Sequence, residues 1–85
     1  MQTRVAVMSI IVEKNETVQA LNTLLSEYGE YIIGRMGIPY KARGINIISI
    51  AIDAPQDKNS TLSGKIGALS GISVKTAFSS VISDE

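Results

Sequence analysis

The residues best suited to hold a small anion are Ser63, Gly64 and Lys65, which follow one another in a glycine-bearing helical segment. Glycine amides and a lysine ammonium can cradle a phosphate, as they do in the phosphate-binding loop of nucleotide-binding proteins. That loop also needs a glycine five residues before its Gly-Lys pair and a Ser or Thr after it, but Asn59 and Ile66 stand there. The motif is incomplete, and the segment predicts tight helix packing rather than nucleotide binding.

The packing prediction comes from the glycines themselves. Leu62, Ile66 and Leu69 form an apolar stripe with helical spacing, and Gly64 and Gly67 lie within the same helix. Each glycine costs about 1 kcal/mol relative to alanine in a helix interior. We therefore expect another backbone to approach this helix closely, as small residues four apart permit.

Arg35 and Lys75 are two further donors for an anion. Arg35 lies between Gly34 and Met36, and the glycine leaves room around a guanidinium that can bind a carboxylate or phosphate through two hydrogen bonds. The alternative for Arg35 is an exposed or interface side chain that pairs with an acidic residue. The candidate ligand-binding residues are then Arg35, Ser63, Gly64, Lys65 and Lys75.

Catalytic and metal chemistry have little support. The chain has no histidine and no cysteine, so the most frequent general base and the thiolate metal ligands are missing. The acidic pairs Asp53 with Asp57 and Glu27 with Glu30 fall at predicted element ends, where we expect them to be solvated or to favour a helix dipole. The sequence predicts a protein that is not an enzyme and that holds no metal and no cofactor.

Charge and aromatic residues argue against nucleic acid as a partner. Eight basic and eight acidic residues give a formal net charge of zero, so no general attraction to nucleic acid or to an anionic membrane is expected. The predicted first and third strands have no aromatic residue on which bases would stack. For Tyr28, Tyr31 and Tyr40 we expect packing at the core edge or at an interface.

The length of 85 residues predicts one domain over residues 1–85, with a core at about 4–79 and a polar tail at 80–85. The apolar run after Arg4 is too short to span a bilayer and lacks a cleavage site. We therefore expect a cytoplasmic protein.

Hydrophobic periodicity predicts four strands and two helices. Asn15 is expected to cap the first helix, Pro39 to stop the second strand, Gly44 to allow a turn and Gly71 to end the second helix. The predicted strands cover residues 4–13, 31–38, 45–53 and 72–79, and the predicted helices cover 15–28 and about 55–71. The order β-α-β-β-α-β is that of an α+β, ferredoxin-like sandwich, an antiparallel four-stranded sheet with both helices on one face.

Both faces of this sheet are apolar, although two helices cover only one of them. We expect the unbroken sets to face the helices, and these are Met8, Ile10 and Val12 with Ile48, Ile50 and Ile52. Serines interrupt the opposite sets, Val5, Val7 and Ile11 with Ile45, Ile47 and Ala51, which we expect at a subunit interface. Because a soluble monomer rarely exposes so large an apolar patch, the sequence predicts a homo-oligomer, either a dimer or a tetramer.

A resemblance to a known family rests on three segments of the chain, namely Leu62–Gly67, Gly71–Thr76 and Arg35–Pro39. Over Val5 to about Phe78 the chain resembles the small ACT-like iron-only hydrogenase system regulators, which are related in fold to the C-terminal domain of nickel-responsive regulators. The resemblance implies an ACT-type ferredoxin-like fold, homo-oligomerisation and a regulatory role in iron hydrogenase maturation or expression.

The chain departs from these relatives at the residues that would carry their chemistry. Nickel-responsive regulators bind metal through His and Cys, which are absent here, and their DNA-binding segment precedes the sensor domain, whereas this first strand begins near Arg4. Nickel sensing of that kind and direct DNA binding are therefore not expected. The turn Glu13–Glu16 also lacks the glycine found in amino-acid-binding ACT domains.

Two functional hypotheses lead, and an enzyme, which would require an acid-base pair in a pocket, ranks third. The first is a non-enzymatic regulatory module, an oligomer that senses a small anionic ligand or binds a protein partner near its subunit boundaries. The second is an assembly protein that forms a homo-oligomer without any ligand.

Overall fold

The computed structural model describes residues 2–84, and their side chains through residue 81. The predicted order of strands and helices is confirmed, with three short 3-10 turns added. The strands are β1 (Gln2–Val12), β2 (Ile32–Tyr40), β3 (Ile45–Ala54) and β4 (Ile72–Asp84), and the helices are α1 (Val18–Glu27) and α2 (Gln56–Gly67). The 3-10 turns are Asn15–Thr17, Gly29–Tyr31 and Lys41–Arg43.

The four strands form one sheet in the order β2-β3-β1-β4, and every neighbouring pair is antiparallel. β1 and β3 are the central strands, and both are rich in Ile and Val, which suit a pleated and packed surface. This order with two helices is the ferredoxin-like layout that the sequence predicts.

The core lies between the sheet and the two helices. The sets expected to face the helices are buried, as shown by Met8 and Ile10 in β1 and by Ile50 and Ile52 in β3. Leu21 and Leu25 of α1 and Leu62 and Ile66 of α2 complete the core from the other side. Tyr28 is buried and Tyr31 packs against this cluster, which confirms the expectation of a core-edge position for these two tyrosines.

Several element ends differ from the sequence predictions. Asn15 does not cap a helix, because it lies inside a 3-10 turn and its side-chain oxygen instead accepts a hydrogen bond from Asn46 at 3.0 Å. Pro39 does not stop β2, which continues to Tyr40. A proline is tolerated there because β2 is an edge strand.

Helix α2 ends at Gly67, before the position expected from the sequence. A turn follows, and Gly71 has a φ of +72° at its end. Gly44 has a φ of +66° in the turn between β2 and β3. Between residues 2 and 84, these are the two positions with a left-handed backbone conformation, which glycine adopts without strain.

The polar tail expected at residues 80–85 is corrected over residues 80–84, and residue 85 lies outside the described residues. β4 extends to Asp84 and pairs with the start of β1, where Gln2 lies opposite Asp84. The register between the two strands shifts between Arg4 and Ala6. Arg4 Nε donates to the carbonyl oxygen of Ser79 at 2.5 Å, so the arginine joins β1 to β4 at this irregularity.

Candidate functional site

The surface of the sheet that faces away from the helices is apolar and uncovered within one chain. Val5, Val7 and Ile11 are 39%, 40% and 42% exposed, whereas Ile45, Ile47 and Ala51 are half-buried. We call this surface the open face. It consists of Val5, Val7, Ser9, Ile11, Gly34, Met36, Ile38, Tyr40, Ile45, Ile47, Ser49, Ala51, Ser73, Lys75 and Ala77.

One polar row crosses the open face through its middle. Strand register places Met36, Ser49, Ser9 and Lys75 side by side, one from each strand. The two serines occupy the central strands, and Lys75 lies on the edge strand β4. The row divides the face into two apolar halves.

The apolar halves have different compositions. On one side of the polar row lie Ile38, Ile47 and Ile11, with Ser73 at the edge of the same row, and on the other side lie Gly34, Ala51, Val7 and Ala77. Large side chains thus follow one half and smaller ones follow the other, so the face is uneven in height. A flat apolar partner would not fill both halves equally well.

Asp53 lies on the same side of the sheet as the open face, at its end, directly opposite Val5 in the register. Its Oδ1 atom is buried and has no hydrogen-bond partner among the described residues. The sequence predicts that Asp53 is solvated or favours a helix dipole, and the structure shows a half-buried residue with one carboxylate oxygen shielded from solvent.

The Ser63 to Lys65 segment lies on α2, away from the open face. The hydroxyl groups of Ser63 and Thr76 are 3.0 Å apart and link α2 to β4. The ammonium nitrogen of Lys65 lies 5.7 Å from the centre of the Tyr28 ring, a distance at which a cation and an aromatic face attract each other. Both side chains are thus engaged within the chain.

Among the described residues, the close backbone approach expected at these glycines does not occur. No described atom outside the local helix backbone lies within 4 Å of the position that a Gly64 Cβ would take, and the nearest to Gly67 is Val74 Cγ1 at 3.5 Å. The reason is which face of α2 packs on the core. Leu62 and Ile66 lie on the buried face, whereas Gly64 lies on the exposed one.

Arg35 is located at the opposite edge of the sheet from Lys75. It pairs with Ile50 in the register and so lies on the helix side of β2, where its Nη2 donates to Asn22 Oδ1 on α1 at 3.0 Å. Three strand spacings of about 4.8 Å separate β2 from β4. The structure therefore does not bring Arg35, Lys65 and Lys75 together in one protomer.

Depressions on the described part of the surface include the following two. One of about 290 Å³ is lined by Asn15, Pro39, Lys41, Gly44, Ile45 and Asn46. The other, of about 100 Å³, is lined by Gln2, Thr3, Arg4 and Gln56. Neither contains any of the predicted ligand-binding residues.

Asn59 is a structural residue that the sequence did not single out. It is 0% exposed, and its Nδ2 donates to the carbonyl oxygens of Arg4 at 3.0 Å and Ala54 at 3.2 Å. The amide thereby attaches the first turn of α2 to β1 and β3. No sequence signal identifies it, since asparagine in a helix is usually exposed.

Within the described residues, no group of three or more His, Cys, Asp or Glu side chains is placed to hold a metal ion. The same part of the chain contains no helix that is both long and apolar enough to cross a membrane.

Residues 4–76 match the model of a protein family described as "TM1266-like: Iron-only hydrogenase system regulator, putative". Among solved structures, the chain is similar to the uncharacterized protein TM1266 from Thermotoga maritima. The TM-score is 0.86 at 31% identity, and the alignment covers 89% of this chain and 96% of that one. A search of curated proteins found no match.

Two more distant structures share the fold. The ACT domain of the GTP pyrophosphokinase of Chlorobium tepidum aligns with a TM-score of 0.76 at 22% identity, covering 88% of this chain and 99% of that one. A formyltetrahydrofolate deformylase from Pseudomonas putida KT2440 aligns with a TM-score of 0.62 at 15% identity, covering 86% of this chain and 28% of that one. The chain therefore spans under a third of the deformylase, and these two likenesses establish a ferredoxin-like ACT fold alone.

Proposed function

The chain belongs to the TM1266-like family of iron-only hydrogenase system regulators, and from this premise we propose that it is a non-enzymatic regulatory module that acts as a homo-oligomer. The open face carries the proposal. Three of its aliphatic side chains, Val5, Val7 and Ile11, are each about 40% exposed, and aliphatic surface in water favours association.

A small anionic ligand or a protein partner would meet the oligomer at its subunit boundary. Of the predicted donors, Lys75 alone lies on the open face, where β4 forms the sheet edge. Lys75 is exposed, and a lysine at a sheet edge can keep its ammonium group in water while its aliphatic stem covers apolar surface. Lys75 is therefore the residue that we assign to a boundary ligand.

Matched alanine-to-aspartate variants test the assembly. Ala51 lies on the open face in β3, whereas Ala20 is exposed on α1. Ala51→Asp should convert the oligomer to monomer in sedimentation velocity at micromolar concentration, because it buries an unpaired charge. Ala20→Asp should leave the assembly intact. A wild-type protein that sediments as a monomer would refute the proposal.

A thermal-shift screen with carboxylates and phosphates tests ligand sensing. A ligand present at 100 times its dissociation constant raises the free energy of unfolding by about 2.7 kcal/mol. Lys75→Ala should remove the shift, whereas Lys65→Ala should retain it because Lys65 lies against Tyr28 on the helix side. A shift that survives Lys75→Ala would place the ligand elsewhere.

A second candidate, an assembly protein without a ligand, is favoured by one observation. Ser63, Lys65 and Arg35 already have partners within the chain, namely Thr76, Tyr28 and Asn22. An oligomer that no carboxylate, phosphate or protein partner stabilises would support this candidate over the sensor.

A further inference from the structure

We propose that Ser9 and Ser49, the two serines of the polar row, fix how two copies of this chain meet. The two copies are related by a two-fold axis that runs parallel to the strands. The inference rests on the proposed assembly through the open face and adds the partner's position. A second copy is the occupant to which we commit.

The size of the open face fits a second copy. The sheet is four strands wide, and with a strand spacing of about 4.8 Å and about 6.7 Å between successive rows on one face, five rows cover roughly 600 Å². Two copies would together bury about 1,200 Å², which is the lower end of the range for stable protein pairs.

The serines then determine the alignment. Ser9 and Ser49 lie directly opposite each other on the two central strands, so they occupy the middle of an apolar surface. A hydroxyl buried against an aliphatic side chain loses its hydrogen bonds to water and gains none. The favourable alignment places the polar row of one copy on the polar row of the other, so that serines meet serines.

Sheets that pack face to face keep their strands within about 30° of each other. A rotation about the centre of the face moves the ends of the strands most and the central row least. Since the polar row is central, the polar rows of the two copies stay aligned when the strands cross at about this angle.

Two symmetric arrangements place one polar row on the other, one with the two-fold axis across the strands and one with the axis along them, and the charge of Lys75 favours one of the two. A two-fold axis across the strands stacks β4 on the partner's β4 and brings the two copies of Lys75 together, which is unfavourable for like charges. An axis along the strands instead stacks β4 on the partner's β2. Lys75 then lies over the partner's Met36, because both belong to the same row.

In this arrangement the hydroxyl of Ser9 meets the partner's Ser49, and the reverse contact follows from symmetry. The stem of Lys75 packs on a methionine side chain, and its ammonium group reaches solvent at the edge of the sheet. Met36 is 52% exposed in the single chain, so this contact would bury a large apolar side chain.

Site-directed cross-linking tests the arrangement, and the chain contains no native cysteine to interfere. Two single variants, Met36→Cys and Lys75→Cys, carry tags of different length so that their dimers can be told apart by size. The two proteins are refolded together and treated with a short bismaleimide. We expect the mixed dimer as the cross-linked product. Met36→Cys alone retains Lys75 and should give no cross-linked dimer, because an axis along the strands places the two Met36 positions at opposite edges.

The outcomes are distinct. Efficient cross-linking of Met36→Cys with itself would overturn the axis and leave the proposed assembly intact. A dimer in sedimentation that gives neither cross-link would show that the copies meet through another surface. Ser49→Val provides a separate check. The Ser9 hydroxyl of each copy, two in the dimer, would then face an aliphatic side chain of the partner, and the dimer should weaken. Unchanged dissociation would contradict the role of the two serines.

Discussion

Gly71 occupies the point where the turn after α2 enters β4, with a φ of +72°. A Cβ at this position would lie 2.6 Å from Lys14 Cγ, which is closer than packed carbon atoms approach. Lys14 is itself held by a hydrogen bond of 3.0 Å from its Nζ to Ser70 Oγ. The glycine thus serves both the backbone conformation and the contact between the two turns.

Gly71→Ala should lower the free energy of unfolding by about 1–2 kcal/mol, the cost of a left-handed conformation for a residue with a Cβ. Urea denaturation followed by circular dichroism measures this change.

Gly64→Ala is the matched control. Gly64 lies inside α2 in open space, so alanine there should raise the free energy of unfolding by roughly 0.5–1 kcal/mol. A loss of stability at Gly64 would mean that a partner's backbone does approach this helix.

At the scale of the elements, polar side chains connect the helix layer to the strands at a few buried positions. Asn59 joins α2 to the carbonyls of Arg4 and Ala54. Thr17 is 7% exposed, and its hydroxyl donates to the carbonyl oxygen of Ser70 at 2.8 Å, which ties the start of α1 to the turn after α2.

Asn59→Ala should destabilise the protein by about 1–3 kcal/mol, because the buried carbonyl of Ala54 and the partly buried carbonyl of Arg4 lose a donor. Asn59→Asp should destabilise it further at neutral pH, since a carboxylate would face the same two carbonyls. Asn22→Ala is the control, because Asn22 is exposed on α1 and its loss removes only the contact with Arg35. Equal chemical-denaturation midpoints for the Asn59 and Asn22 alanine variants would contradict the assigned role.

Thr17→Val keeps the shape of the side chain and removes the donor, so we expect a loss of about 1–2 kcal/mol. Thr17→Ser retains the hydroxyl and should recover most of that loss. Thermal unfolding of the two variants compares them directly. If valine were as stable as threonine, the bond to Ser70 would contribute nothing to the connection of the two elements.

The strands and the core could be predicted because their signal is local and repeated. Alternation in β1 and β3 identifies both faces of the sheet, and the buried set proves to be the one that lacks serine. The ends of the strands and helices are less predictable from the sequence. Pro39 continues β2 because the strand lies at the sheet edge, and β4 extends past residue 79 because β1 offers pairing there; both depend on strand order.

The candidate site was less predictable than the fold. One of the two partners of Asn59, the carbonyl of Arg4, is 55 positions away in sequence, so no local pattern could reveal that contact. Likewise Ser63 and Lys65 are good anion donors in isolation, and only the tertiary structure shows that Thr76 and Tyr28 engage them. Lys75 keeps its place as a candidate because the register puts it on the open face.

At the scale of the whole molecule, the same sheet stabilises the protomer through one face and carries the proposed assembly on the other. If two copies cover the open face, dissociation and unfolding are coupled, and the melting temperature should rise with protein concentration. Differential scanning calorimetry over a hundredfold range of concentration measures this dependence.

Ala51→Asp should abolish the concentration dependence and lower the melting temperature to that of the isolated protomer, because the charge opposes burial of the face. Ala20→Asp should keep the wild-type dependence, since Ala20 lies on α1 on the other side of the sheet. A melting temperature that is independent of concentration in the wild-type protein and in both variants would mean that the open face remains in water, and the proposed assembly would then be wrong even though the fold is not affected.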